Sequence, residues 1–334
     1  MKKQQLIFQC LMFLAFFTAH ATVWRVNNNP GISANFANFT AAQSGATAGD
    51  TLYFEGSGTA YGDITITKPL VLIGPGYFLT ENPQTQANIT SAQFGNIYFN
   101  TGSSGSVIMG LTVTGNTEIK VGNIWVMRNK LKLVYINSTI SYGNILISQN
   151  YLTSGIENSS GSSTIFNILI TNNHINDIAW NVNTGISFPA NFSGVISNNI
   201  CDNGTCMSVH NFTISNNILI SGTANAIVPT DNVFFNNICN HAQVPSGNNN
   251  LQNVNMTDVF LGATGNSTDG QWQLKAGSPA ILAGNDGLDC GMFGGPTPYV
   301  LSGMPPIPSV YELIMPSSAN NVNGLNVTVK AKSH

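Results

Sequence analysis

Charge is what this 334-residue chain has least of. Asp, Glu, Lys and Arg make up 7% of it, against about a quarter in an ordinary globular protein. With 11 basic and 14 acidic residues the net charge is −3, which leaves no electrostatic footprint for a nucleic-acid partner. Arginine is nearly missing, with Arg25 and Arg128 its two occurrences. Cysteine is sparse, and no CxxC or His-Cys spacing marks a zinc site. The shortage of charge does not imply disorder, because 43% of the residues are hydrophobic. The polarity comes from Asn, Ser, Thr and Gly, a mixture suited to turns and outward strand faces.

Long apolar runs are also lacking, apart from one at the N-terminus. Lys2 and Lys3 precede the run Leu6 to Phe17, and Ala19-His20-Ala21 follows it. Basic region, short apolar run and small-residue site together predict a secretory signal peptide over 1–21, with the mature chain starting at Thr22. The run is too short for a membrane span. The expectation is an exported protein, extracellular or on the cell surface, with no transmembrane span in the mature chain.

What is abundant is repetition. Between Asn123 and Cys239 one phrase returns six times, as in Ile145-Leu-Ile-Ser-Gln-Asn150-Tyr-Leu152 and Ile168-Leu-Ile-Thr-Asn-Asn173-His-Ile175. Its marked asparagines are Asn129, Asn150, Asn173, Asn199, Asn217 and Asn237, at spacings of 21, 23, 26, 18 and 20 residues. A period near 20 means a solenoid with one supersecondary unit per repeat. Ile168 and Ile170 alternate with Leu169 and Thr171, the period of a strand. The marked asparagine then breaks the strand, and as a residue tolerant of left-handed backbone it is expected to make the bend itself. An aliphatic position follows and starts a second short strand. Stacked coils would place these asparagines in a column about 4.8 Å apart, close enough for an amide ladder. The fold expected is all-β, a single-stranded parallel β-helix. A membrane barrel fits less well, since the period is short and interrupted by bends.

This repeat resembles the right-handed parallel β-helix proteins of the pectate-lyase-like superfamily, which carry such ladders. Two further stretches are similar to exported Bacteroidota-type β-helix proteins. One is Gly49-Asp-Thr-Leu-Tyr-Phe54 with Ile64-Thr-Ile-Thr-Lys-Pro-Leu-Val-Leu-Ile-Gly74. The other is Gly277-Ser-Pro-Ala-Ile281 with Asp286-Gly-Leu-Asp-Cys-Gly-Met-Phe-Gly-Gly295. The organisation implied is a signal peptide (1–21), an N-terminal strand and cap helix (22–49), β-helix coils (50–245), and closing coils with a C-terminal strand cap (246–334). The cap helix is expected over 36–48, with Phe36, Phe39 and Ala42 on one face. Proline-rich 297–308 should be extended. Val310 to Met315 and Leu325 to Lys332 should form two closing strands, with no sorting or adhesion domain expected beyond them.

Enzymes of the superfamily that degrade acidic polysaccharides use recognisable tools. These are clustered Asp for Ca²⁺ with an arginine base, or Asn-Thr-Asp, Asp-Asp, Gly-His-Gly and Arg-Ile-Lys on successive coils, set on the strand opposite the asparagine bend and its loops. This chain has no Asp-Asp pair, Gly-His-Gly or Arg-Ile-Lys, so no catalytic motif is recognisable. Ser267-Thr-Asp-Gly270 echoes one segment but lacks its partners.

Three clusters remain. Lys120, Arg128, Lys130 and Lys132, with Glu118 nearby, could contact an anionic sugar or form a solvated coil face. Lys130, Tyr151 and His174 share the position after the ladder asparagine and could serve as acid or base, although that side of the bend is not where the resemblance puts a site. Asp177, Asp202 and His210 follow loops into the next coils. They could act as acid and base or take Ca²⁺, the one metal considered, though turn capping is simpler. A hydroxyl column, Ser148, Thr171, Ser197 and Ser215, lacks the breadth of an ice-binding face.

Cys201 and Cys239 are expected in the core, too far apart to bridge, whereas Cys201 and Cys206 could pair or remain free thiols. The balance favours a non-catalytic monomer whose polar flank binds carbohydrate or a cell-envelope partner, without a cofactor. The alternative is a lyase, hydrolase or epimerase acting on an acidic glycan.

Overall fold

A computed structural model describes residues 21–176, 184–202, 204–221, 227, 231–285, 287–318 and 324–333. Nearly all of the expected signal peptide (1–20) and the candidate Asp177 lie outside the described residues. The repeats fold as parallel rungs. Among the described residues, sheet A holds ten strands in order of sequence, from Val23–Val26 through Tyr142–Ser148 to Val233–Phe235. Sheet B holds thirteen. Some of these are the short strands just after the ladder asparagines, such as Tyr151–Leu152. Others lie one bend later, such as Ile156–Gly161, and Lys130–Ser138 spans both kinds.

Alternation decides what faces inward. In Ile165–Thr171, Ile168 and Ile170 are buried while Leu169 is exposed. Their neighbours in register, Ile145 and Ile147 on one side and Ile196 on the other, are buried as well. One continuous apolar core therefore runs from Val26 to Val244. Burying one such aliphatic side chain contributes about 1.5–3 kcal/mol, so no rung is stable alone and stacking holds the rod.

The ladder forms, and one rung beyond the six repeats joins it. Asn173 Nδ2 donates to Asn199 Oδ1 (3.0 Å), Thr171 O (3.0 Å) and Ile147 O (2.9 Å), while its Oδ1 accepts from Asn150 N (2.9 Å) and Nδ2 (3.0 Å). The pattern repeats from Asn129 to Asn237 and ends on Asn250 Oδ1. The bend is not where the sequence suggested. The left-handed residue is the one before each ladder asparagine: Arg128, Gln149, Asn172, Asn198, Asn216 and Asn236, with φ between 53° and 58°. The ladder asparagine aims its side chain into the corner to meet backbone groups, so its predecessor takes the strained turn. A second, exposed ladder went unread: Asn167 Nδ2 donates to Asn144 Oδ1 (3.2 Å), and Asn144 Nδ2 to Asn123 Oδ1 (3.0 Å).

The ends are capped. Helix α1, Phe39–Gly45, is shorter than expected. Asn38 Oδ1 caps it by accepting from Ala41 N (2.9 Å), and Phe39 and Ala42 are buried. Phe36 lies ahead of the helix and packs on Trp24 instead. Two closing strands form near the expected positions, Ser309–Ile314 and Thr328–Lys332, and they pair antiparallel. The proline-rich stretch is not uniformly extended, because a 3-10 turn at Leu301–Gly303 interrupts it.

Between the last rungs and those strands, residues 283–285 and 287–304 run back along the bend. The outward side chains of the left-handed residues hold this wrap. Asn236 Nδ2 donates to Ala283 O (2.8 Å), Asn172 Nδ2 to Met292 O (3.0 Å) and Gly294 O (2.7 Å), Gln149 Nε2 to Pro298 O (2.6 Å), and Arg128 Nη1 to Met304 O (2.9 Å). Rising numbers in the wrap meet falling numbers in the rungs. Beneath it lies a second hydrophobic core, including Tyr77, Tyr151, Ile200, Ile218, Ile238, Cys290 and Tyr299. Gly291 (φ 83°) rests directly on that core, where a Cβ would fall 2.7 Å from Ile218 Cδ1.

Candidate functional site

The wrap decides the fate of several candidates. Lys130, Tyr151 and His174 are in register, followed by Ile200, Ile218 and Ile238. The column is covered rather than open. Lys130 Nζ sits 4.6 Å from the Phe78 ring centroid, and Tyr151 stacks on His174 at 4.5 Å. Trp272 covers the other face of His174 at 4.6 Å. His174 is 0% exposed, neither ring nitrogen has a hydrogen-bond partner, and burial pulls its pKa down to about 3. Burial likewise pushes Tyr151 up to about 12. Tyr151 and His174 are thus packed into the seam, while Lys130 stays half-buried beside Phe78.

The basic cluster is divided rather than gathered. Arg128 is held by Gln149 Oε1 (2.8 Å) and the wrap, and Lys130 by Phe78. Lys120 pairs with Glu118 (3.1 Å) on sheet B, and Lys132 is exposed in Lys130–Ser138. Asp202 and His210 have different surroundings. Asp202 is partly buried, which raises its pKa, and accepts weakly from Asn176 Nδ2 (3.5 Å). His210 opens onto a cleft on sheet B. Asp269, from the segment set aside earlier, is a buried hub of the wrap. Its carboxylate accepts from Ser302 N (2.7 Å), Asn82 Nδ2 (2.9 Å), Ser267 Oγ (2.9 Å) and Tyr299 Oη (3.2 Å). Cys201 and Cys206 are not joined in a disulfide; each thiol is directed at the other's carbonyl, at 3.5 and 3.6 Å. Among the described residues no three His, Cys, Asp or Glu side chains are grouped to hold a metal.

What the structure assembles instead is a column on the outward face of sheet B, one bend past the ladder. Thr65, Tyr98, Glu118, Tyr135, Glu157, Ser187 and Ser208 are neighbours in register, one per rung. Each lies beside buried residues that fix its direction: Ile97 and Phe99 turn Tyr98 outward, and Val134 and Ile136 do so for Tyr135. Glu118 is oriented by its neighbours. Its Oε2 meets Lys120 Nζ (3.1 Å), and its Oε1 accepts from Asn137 Nδ2 (3.2 Å) and Ser159 Oγ (3.3 Å). Lys120 also lies 5.4 Å from the Tyr98 ring centroid. Tyr135 is pushed up by burial and by the carboxylates of Glu157 and Glu118 on either side.

The column ends in a cleft of about 510 Å³ formed by Glu157, Asn158, Ser187, Ser208, His210 and the turn 188–190. Such a surface offers flat aromatic faces, fixed acceptors and hydroxyls along a line. Of these residues the sequence reading had named His210, with Glu118 as a neighbour. The rest sit at unequal spacings of 20, 17, 22, 30 and 21 residues from Tyr98 onward. The usable signal was a polar or aromatic residue beside buried aliphatics, as in Val134-Tyr-Ile136, recurring once per asparagine phrase.

No family of known proteins matches the sequence, and no curated protein does. In fold the chain is similar to a solved protein described as the crystal structure of pectate lyase Pel9A. The TM-score is 0.44 and the identity 15%, covering 82% of this chain and 96% of that one. The strand register itself carries the assignment: the chain is an all-β parallel solenoid.

Proposed function

We propose that the outward face of sheet B binds a polysaccharide chain outside the cell, without a cofactor. The observation that carries this reading is the column itself, in which two tyrosine rings alternate with two carboxylates and lead into an open cleft. Tyrosine rings give sugar C–H faces an apolar platform, and Glu118, Glu157, Ser187 and Ser208 offer hydrogen bonds to hydroxyls. Two carboxylates against one lysine, Lys120, repel a polyuronate, so the preferred ligand is neutral or carries amino groups. Export rests on the N-terminal signal read from the sequence.

A glycan array followed by titration calorimetry tests the proposal. Binding to neutral or amino-sugar chains is expected, with Tyr135→Ala and Glu157→Gln each weakening it about tenfold or more. No binding, or binding indifferent to both changes, would overturn it.

A hydrolytic second reading has one observation behind it. Glu118 and Glu157 flank Tyr135 two rungs apart, about 9.6 Å along the backbone, near the separation of about 6.5–9.5 Å used by inverting glycosidases. Release of reducing ends from a bound chain, abolished by Glu157→Gln, would favour it over simple binding.

A further inference from the structure

Sheet A also has an outward face, and its chemistry is different. One rank contributes a side chain from each of the ten strands, in unbroken register from Val23 to Val233. Every member is aliphatic or aromatic except Thr51 and Thr213. Val23, Trp125, Leu169 and Val233 are 64%, 51%, 38% and 57% exposed. The next rank adds Met109 and Met127 beside them and continues through the hydroxyls Ser148, Thr171, Ser197 and Ser215, of which Ser148, Thr171 and Ser215 are buried. Among both ranks Arg25 is the one charge, at the end rung and already paired with Glu55. This face is separate from the sheet B column and from the wrap.

We propose that this face joins two copies of the chain into a dimer. Size supports that occupant. Ten rungs about 4.8 Å apart and strands of about four residues span roughly 43 by 13 Å, near 560 Å² per copy. Two copies would bury about 1,100 Å², above the roughly 1,000 Å² that a specific interface needs. Per copy it lies at the upper end of the roughly 300–600 Å² that the largest patch on a monomer spans.

Charge supports it too. A two-fold interface sets each patch against itself, and an uncharged face meets its own image without like-charge repulsion. Two such sheets can pack about 10 Å apart with strands nearly aligned. A sugar chain is the poorer occupant, since stacking needs aromatic platforms and Trp125 is the one aromatic in the long rank. This proposal departs from the monomer expected from the sequence.

Sedimentation equilibrium on the exported chain at tens of micromolar is the test. The wild type is expected at twice the single-chain mass. Trp125→Lys with Leu169→Lys should give the single-chain mass with an unchanged far-UV spectrum. Should that pair fail to fold, Leu169→Thr with Val195→Thr keeps β-branched residues in the strands and should weaken association by roughly tenfold. A wild type at single-chain mass overturns the proposal. So does a folded lysine pair that stays dimeric, a threonine pair of unchanged affinity, or a wild-type monomer that is retained on insoluble polysaccharide through this face.

Discussion

The two hydrophobic cores are built on different scales. The inner core joins neighbours about 20 residues apart, rung upon rung, and the asparagine ladder closes its corner. The outer core joins distant segments: Tyr77 Oη meets Tyr299 Oη at 2.6 Å across 222 residues, and Asn172 meets Met292 across 120. Each inner rung adds burial for a short loop closed, whereas the wrap must close long loops before any contact forms. The inner core is therefore the cooperative body of the molecule, and the wrap is its separable cover.

The most damaging change should fall in the inner corner. Asn173→Ala removes three donated and two accepted hydrogen bonds inside a buried column. A loss on the order of 4 kcal/mol is expected in urea denaturation followed by circular dichroism. A loss under about 1 kcal/mol would mean that the ladder is dispensable.

Next comes the wrap's hub. Asp269→Ala orphans Ser302 N and leaves the Tyr299 hydroxyl with Tyr77 alone, and should cost about 2–3 kcal/mol locally. Hydrogen exchange should rise across 267–304 while the rung amides stay protected. Rungs that exchange in step with the wrap would erase the distinction between the cores.

The smallest effect is a pH dependence at the seam. His174 takes a proton near pH 3 when folded but near the ordinary histidine value of about 6.5 when unfolded. The unfolded chain binds more protons between those values, so stability is complete above about pH 6.5 and declines as pH falls toward 3. At pH 5 the loss is about 2 kcal/mol. His174→Phe keeps a ring between Tyr151 and Trp272 and should remove that part of the acid sensitivity, as thermal melts at pH 7 and pH 5 would show. An equal slope in both proteins would place the sensitivity elsewhere.

Much of the inner core was legible, because alternation and the ladder asparagines are local patterns repeated along the chain. The bend was misplaced by one residue, since tolerance of left-handed backbone belongs to Asn172 as much as to Asn173. The outer core carried a readable sign that was passed over: Ile200, Ile218 and Ile238 share a column with Lys130 and Tyr151, and aliphatics there require a cover. The sheet B column was harder to see, because loops of unequal length hide which residues are neighbours.

By itself the sequence determined that the backbone stacks into a β-solenoid with an amide corner, because strand period, turn residues and repeat length are properties of short segments. The tertiary structure alone decided which outward columns are open. The C-terminal segment helps bury Tyr151 and His174, and leaves Tyr98, Glu118, Tyr135 and Glu157 facing outward on sheet B. Accessibility depends on where residues distant in the chain come to rest; the column's aliphatics record that a cover is needed, but no local pattern records which segment supplies it.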